Sequence, residues 1–103
     1  HDALPISAEQ LDKAGVTPRL MVDFSHANSR KDYTRQMEVA RDVAAQLQTG
    51  EQNIMGIMVE SHLVEGRQDK PETYGQSITD ACIGWDTTEE LLALMAEANR
   101  GRV

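Results

Sequence analysis

An α/β fold with parallel strands is predicted by three features of this 103-residue chain. Two apolar runs, residues 20–25 and residues 53–61 ("NIMGIMVES"), are separated by a stretch with helical periodicity. Neither run alternates with polar residues, which marks strands covered on both faces, as in parallel sheets. A helix between two such strands makes a βαβ unit, right-handed by default. Two strands of this kind cannot stand alone. The pattern therefore describes part of a larger α/β protein, and a closed barrel and an open doubly wound sheet both satisfy it.

Each element has its own signals. Residues 8–14, "AEQLDKA", read as the last turns of a helix, with Gly15 as the C-cap. "TPRL" leads into the first strand. "SRKD", Ser29 to Asp32, has the form of a capping box. Behind it Tyr33, Met37, Ala40, Ala44 and Leu47 form an apolar stripe, and Gly50 sits where the helix should stop. After the second strand, the polar residues 61–76 read as a loop of a length that is usually functional or disordered. "SITDACIGW", residues 77–85, precedes a final helix, "DTTEELLALMAEAN". Thr87 and Glu90 have capping-box spacing there, and Leu91, Leu92, Met95 and Ala98 form the apolar face. Trp85 and the five methionines are assigned to packing. The first seven residues, "HDALPIS", resemble a translated sequencing adapter. Residues 1–7 are therefore read as a non-native segment, and His1 is set aside with them. An ordinary loop leading into a helix is the plainer alternative.

Composition narrows the function. The chain is 40% hydrophobic and 26% charged, as globular domains are. Ten basic against seventeen acidic residues give a net charge of −7, which argues against nucleic acid or an anionic membrane as the partner. The single cysteine, Cys82, allows no internal disulfide and suits a reducing compartment. No apolar run approaches the roughly 18 residues of a membrane span, and none reads as a secretory signal. A cytoplasmic protein is expected.

In parallel α/β proteins the chemistry sits at the carboxyl ends of the strands. His26 follows the first strand, Glu60 ends the second, and Asp80 precedes the last helix. One imidazole and two carboxylates suit a divalent transition metal with positions left open for substrate. Each has a plainer reading. A lone histidine at a strand end is commonly hydrogen-bonded structure, and Asp80 suits a turn or a cap. Glu60 is the sharpest signal, because a carboxylate closing "IMGIMV" is costly to bury unless paired or metal-bound. Asp23, Ser25 and Asn28 are candidates to orient His26 from outside the metal shell, with local capping as the alternative. His62 reads as a solvated or outer-shell residue, and Cys82 as a small buried hydrophobe rather than a fourth ligand.

The same residues carry a family resemblance. "DFSHANS" at 23–29, "GIMVESHLVEG" at 56–66 and "SITDACIGW" at 77–85 resemble the closing segments of type I 3-deoxy-D-arabino-heptulosonate-7-phosphate (DAHP) synthases. The likeness runs in order from about residue 8 to residue 100. It implies a (β/α)8 TIM barrel, of which residues 8–103 form a C-terminal fragment holding the end of the sixth helix and the last two βα units. It implies a metal-dependent condensation of phosphoenolpyruvate with erythrose 4-phosphate, the first step of the shikimate pathway of aromatic amino acid biosynthesis. His26, Glu60 and Asp80 match three of the family's four ligands to a divalent ion (Mn, Fe, Co or Zn). The fourth, a cysteine on an early strand, and most phosphate-binding residues fall in segments this chain lacks, so the fragment by itself is expected to be inactive. A homo-oligomer is implied for the complete enzyme. Another metal-dependent barrel lyase or aldolase, or a non-catalytic α/β interaction module, are the competing readings.

Overall fold

Among the described residues, two of the three helices end on glycines that the sequence marks as stops. The computed structural model of the chain describes residues 3–25 and 32–101. Helix α1 (Ala3–Lys13) closes at Gly15, whose φ is 77°. The Gly15 N–H donates to Asp12 O and the Val16 N–H to Leu11 O, the paired bonds that satisfy a helix's last carbonyls. Helix α2 (Arg35–Gln48) closes in the same way, with Gly50 at φ 102° and Glu51 N–H reaching back to Gln46 O. Both positions need a left-handed backbone, which a side chain would strain.

Strands β1 (Leu20–Asp23) and β2 (Ile54–Met58) pair in parallel, with Val22 opposite Ile57 and Asp23 opposite Met58. Phe24 N–H donates to Met58 O, extending the pairing one residue beyond β1. Helix α2 connects the two strands and packs against helix α3 (Trp85–Arg100). Between helices and strands lies the core: Val22, Phe24, Ala40, Val43, Ala44, Leu47, Ile54, Ile83, Leu91 and Ala98, with Met37 and Met95 packed against it. The expected α2 stripe is therefore the buried face.

Several sequence expectations change. The methionines divide: Met37 and Met95 pack against the core, whereas Met21 and Met55 are 63% and 65% exposed, and Met58 is exposed too. Residues 61–76 are not a structureless loop. They contain β3 (Val64–Arg67), which pairs in parallel with β4 (Gln76–Ser77), while Gly66 bridges to Cys82. The turn between β3 and β4 is organised by one side chain. The Gln68 amide donates to Thr73 O and Gln76 O, and its oxygen accepts from the Glu72 and Thr73 N–H groups.

Helix α3 begins at Trp85 rather than after a Thr87 cap. Gly84 is the N-cap, and both the N–H and the hydroxyl of Thr88 donate to Gly84 O. Trp85 is half exposed instead of packed, and so is Leu92. Leu91, Leu94, Met95 and Ala98 share the inward stripe, and Leu92 lies about 100° round the helix from Leu91. At the start of α2, Ser29 lies outside the described residues. Asp32 does not sit within the first helical turn as a capping box requires. Its carboxylate accepts from the Thr34 N–H and hydroxyl, a turn that leads into the helix from outside.

Candidate active site

Parallel pairing puts the carboxyl ends of β1 and β2 side by side. Two residues past the Asp23–Met58 pair, β1 delivers Ser25 and β2 delivers Glu60. A third segment joins them. Ser61 bridges to Ile83 in parallel, Ile83 N–H donates to Glu60 O at 3.0 Å, and His62 N–H donates to Ile83 O at 3.0 Å. The chain from Asp80 to Ile83 thus runs along the same edge as Glu60.

The predicted residues are placed as follows. His26 and Asn28 lie outside the described residues. Asp23 is half-buried and accepts from both the N–H and the hydroxyl of buried Ser25, forming a tight turn at the end of β1. Glu60 is half-buried and Asp80 exposed. Exposed His62 accepts the Leu63 N–H on Nδ1 at 2.8 Å, which places the proton of the neutral ring on Nε2. Cys82 is buried, and its thiol points at Asp80 O at 3.5 Å. Among the described residues, no three His, Cys, Asp or Glu side chains are grouped closely enough to hold a metal ion.

Cys82 reports on its surroundings. Burial pushes its pKa above the ordinary 9.0, a hydrogen bond with Ser77 opposes that, and the negative charges of Glu60 and Asp80 push it further up. The consequence for stability has a definite sign. Above the unfolded thiol's pKa the folded state holds the proton more tightly, so stability is flat below pH 9.0 and falls as pH rises through the folded value. Denaturant midpoints of an intact enzyme carrying this segment are expected to drop as the pH rises above about 9, and Cys82→Ala should flatten that part of the drop. Iodoacetamide should label the native thiol slowly near neutrality and quickly after unfolding.

Two residues absent from the sequence reading complete the edge. Gln36, on α2, is fully buried and binds Glu60 at both backbone groups: Nε2 donates to Glu60 O and Oε1 accepts from Glu60 N–H, each at 2.9 Å. Its signal was a polar residue in phase with the apolar stripe, one turn before Ala40. Buried Thr88, on α3, shares a short hydrogen bond with the Ser61 hydroxyl. Glu60 is thus flanked by ties to both helices.

The family model of the DAHP synthetase I family matches residues 1–93. A phospho-2-dehydro-3-deoxyheptonate aldolase from Haemophilus influenzae is 58% identical over 92 residues, covering 85% of this chain and 25% of the relative. The Phe-sensitive aldolase of the same name from Escherichia coli K12 is 53% identical over 98 residues, covering 91% of this chain and 28% of its own. A solved structure, phospho-2-dehydro-3-deoxyheptonate aldolase from Francisella tularensis, superposes with a TM-score of 0.93 at 39% identity, over 99% of this chain and 30% of that one. The chain spans roughly a quarter of the length of these curated relatives. The family model covers most of the chain and the relatives are closely similar in sequence and fold, so the chain belongs to the DAHP synthetase I family.

Proposed function

We propose that this chain supplies the last two βα units of a (β/α)8 barrel that condenses phosphoenolpyruvate with erythrose 4-phosphate, and that His26, Glu60 and Asp80 are its metal ligands. One observation carries the reading. The ends of two parallel strands and the segment before α3 meet at one edge, where Ile83 N–H is bonded to Glu60 O. The family's chemistry places a divalent ion among such donors, and two carboxylates with an imidazole suit Mn²⁺, Fe²⁺, Co²⁺ or Zn²⁺. When bound, the ion supplies Lewis-acid polarisation of the aldehyde oxygen of erythrose 4-phosphate.

The chain's own residues set the geometry. Glu60 presents its carboxylate from a backbone fixed by hydrogen bonds on both its N–H and its carbonyl. Asp80 is carried by a segment whose Ile83 is bonded to that same carbonyl. The two acids therefore keep a set relation to each other. The Asp23–Ser25 turn fixes the direction in which the chain leaves β1 toward His26. Carbon C3 of phosphoenolpyruvate attacks the aldehyde carbon, water adds at C2, and phosphate departs with C–O cleavage. The parallel β3–β4 pair, its connection braced by Gln68, adjoins this edge through the bridge from Gly66 to Cys82. The substrates, the homo-oligomer and the cytoplasmic location belong to the same proposal. Consistent with it, no helix among the described residues is long and apolar enough to cross a membrane.

The test is a transplant. Replacing the matching segment of the intact Haemophilus influenzae relative with this chain should preserve condensation and Co²⁺ absorbance, and His26→Ala or Asp80→Ala should abolish both. A folded chimaera with wild-type activity after either substitution would overturn the ligand assignment.

A further inference from the structure

Resting on the reading of Glu60 as a metal ligand, we infer that Gln36 is a positioning residue for the metal site, acting through the Glu60 backbone. Among the described residues, the pairing of β2 with β1 runs as far as the bond from Phe24 N–H to Met58 O. Glu60 lies beyond it, where a strand end would normally meet water. The Gln36 side chain takes over as a substitute strand. Its amide has one donor end and one acceptor end, spaced as in a peptide group, and both engage one residue at 2.9 Å. This orientation of the amide satisfies both groups, and the flipped one would set donor against donor and acceptor against acceptor. A side chain with no exposed surface must be fully bonded to be tolerated, so the arrangement resists change.

The clamp also couples the two acids. Glu60 O accepts from Gln36 Nε2 and from Ile83 N–H, so one carbonyl ties α2 to the segment carrying Asp80. Loss of Gln36 frees the Glu60 peptide and loosens its link to Asp80 at once. A residue that merely glued α2 to the sheet would alter stability and leave the metal's affinity for folded protein unchanged.

The experiment uses the intact chimaera and Co²⁺ absorbance titration of the folded protein, alongside melting curves of the metal-free form. Gln36→Met keeps the volume and removes both hydrogen bonds. It should weaken Co²⁺ binding about tenfold, the usual scale for losing a partner that orients a metal ligand. Val43→Ala, a core truncation on the same helix, should lower the melting temperature with unchanged Co²⁺ affinity. Gln36→Glu keeps the acceptor for Glu60 N–H and should give a loss between wild type and Gln36→Met. If Gln36→Met does not fold, Gln36→Glu decides. Unchanged affinity in the folded variant overturns the inference. Glu60→Ala separates the two levels: if it too leaves Co²⁺ binding intact, the ligand assignment fails rather than the clamp.

Discussion

Glu60→Ala lowers kcat/KM for the condensation by more than about a hundredfold in the intact chimaera, exceeding the ten- to hundredfold typical of losing an outer-shell partner. The melting curve of the metal-free protein changes little. The separation follows from how the residue is held. Its backbone makes the structural bonds, with Gln36 and Ile83, while its side chain lies outside the buried apolar cluster. Removing the carboxylate deletes the proposed metal ligand without opening the core. Steady-state kinetics with added Mn²⁺, paired with a Co²⁺ titration, check this. Activity within a few-fold of wild type would show that Glu60 is a strand-end carboxylate without a catalytic part.

The second large effect is on stability. Phe24→Ala costs about 3–5 kcal/mol, the range for truncating a buried aromatic. Phe24 has no exposed surface and is among the largest fully buried side chains. It follows β1 directly, where the chain leaves the sheet at the edge that also carries Glu60. The cavity left behind would therefore disturb the seat of that edge as well as the core. Tyr74→Ala makes the control: that ring is 91% exposed, and its loss should fall within about 0.5 kcal/mol. Urea unfolding of the chimaera measures both. Equal midpoints for the two variants would mean that the core of this segment does not bear on global stability.

Much of this architecture is legible in the sequence, for identifiable reasons. The α2 stripe and its glycine stop, together with the two apolar runs, are local patterns, and local patterns survive into structure. Strand ends in a parallel sheet fall at one edge by topology, so Glu60 and the Asp80 segment could be brought together on paper. What escaped depends on contacts between distant residues. Helix α3 starts early because Thr88 returns to Gly84, a bond with no sequence signature beyond a threonine in the first turn. The parallel β3–β4 pair is invisible in a polar stretch because one glutamine side chain, not an apolar pattern, organises the connection between the strands. Gln36 was passed over because a single polar residue on an apolar stripe looks like noise until its partner, 24 positions away, is known. The methionines misled for the opposite reason. Apolar residues were read as core, whereas Met21 sits on the sheet face that α2 and α3 leave uncovered, and Met55, beside Leu47 and Met95, still stays exposed.

The doubly engaged carbonyl of Glu60 has a mechanical consequence. With one bond from a helix side chain and another from a neighbouring backbone, the peptide plane after Glu60 cannot tilt without breaking contacts to two elements together. Re-aiming of this acid during turnover is thereby confined to its own side-chain torsions, and the scaffold beneath behaves as a fixed mount.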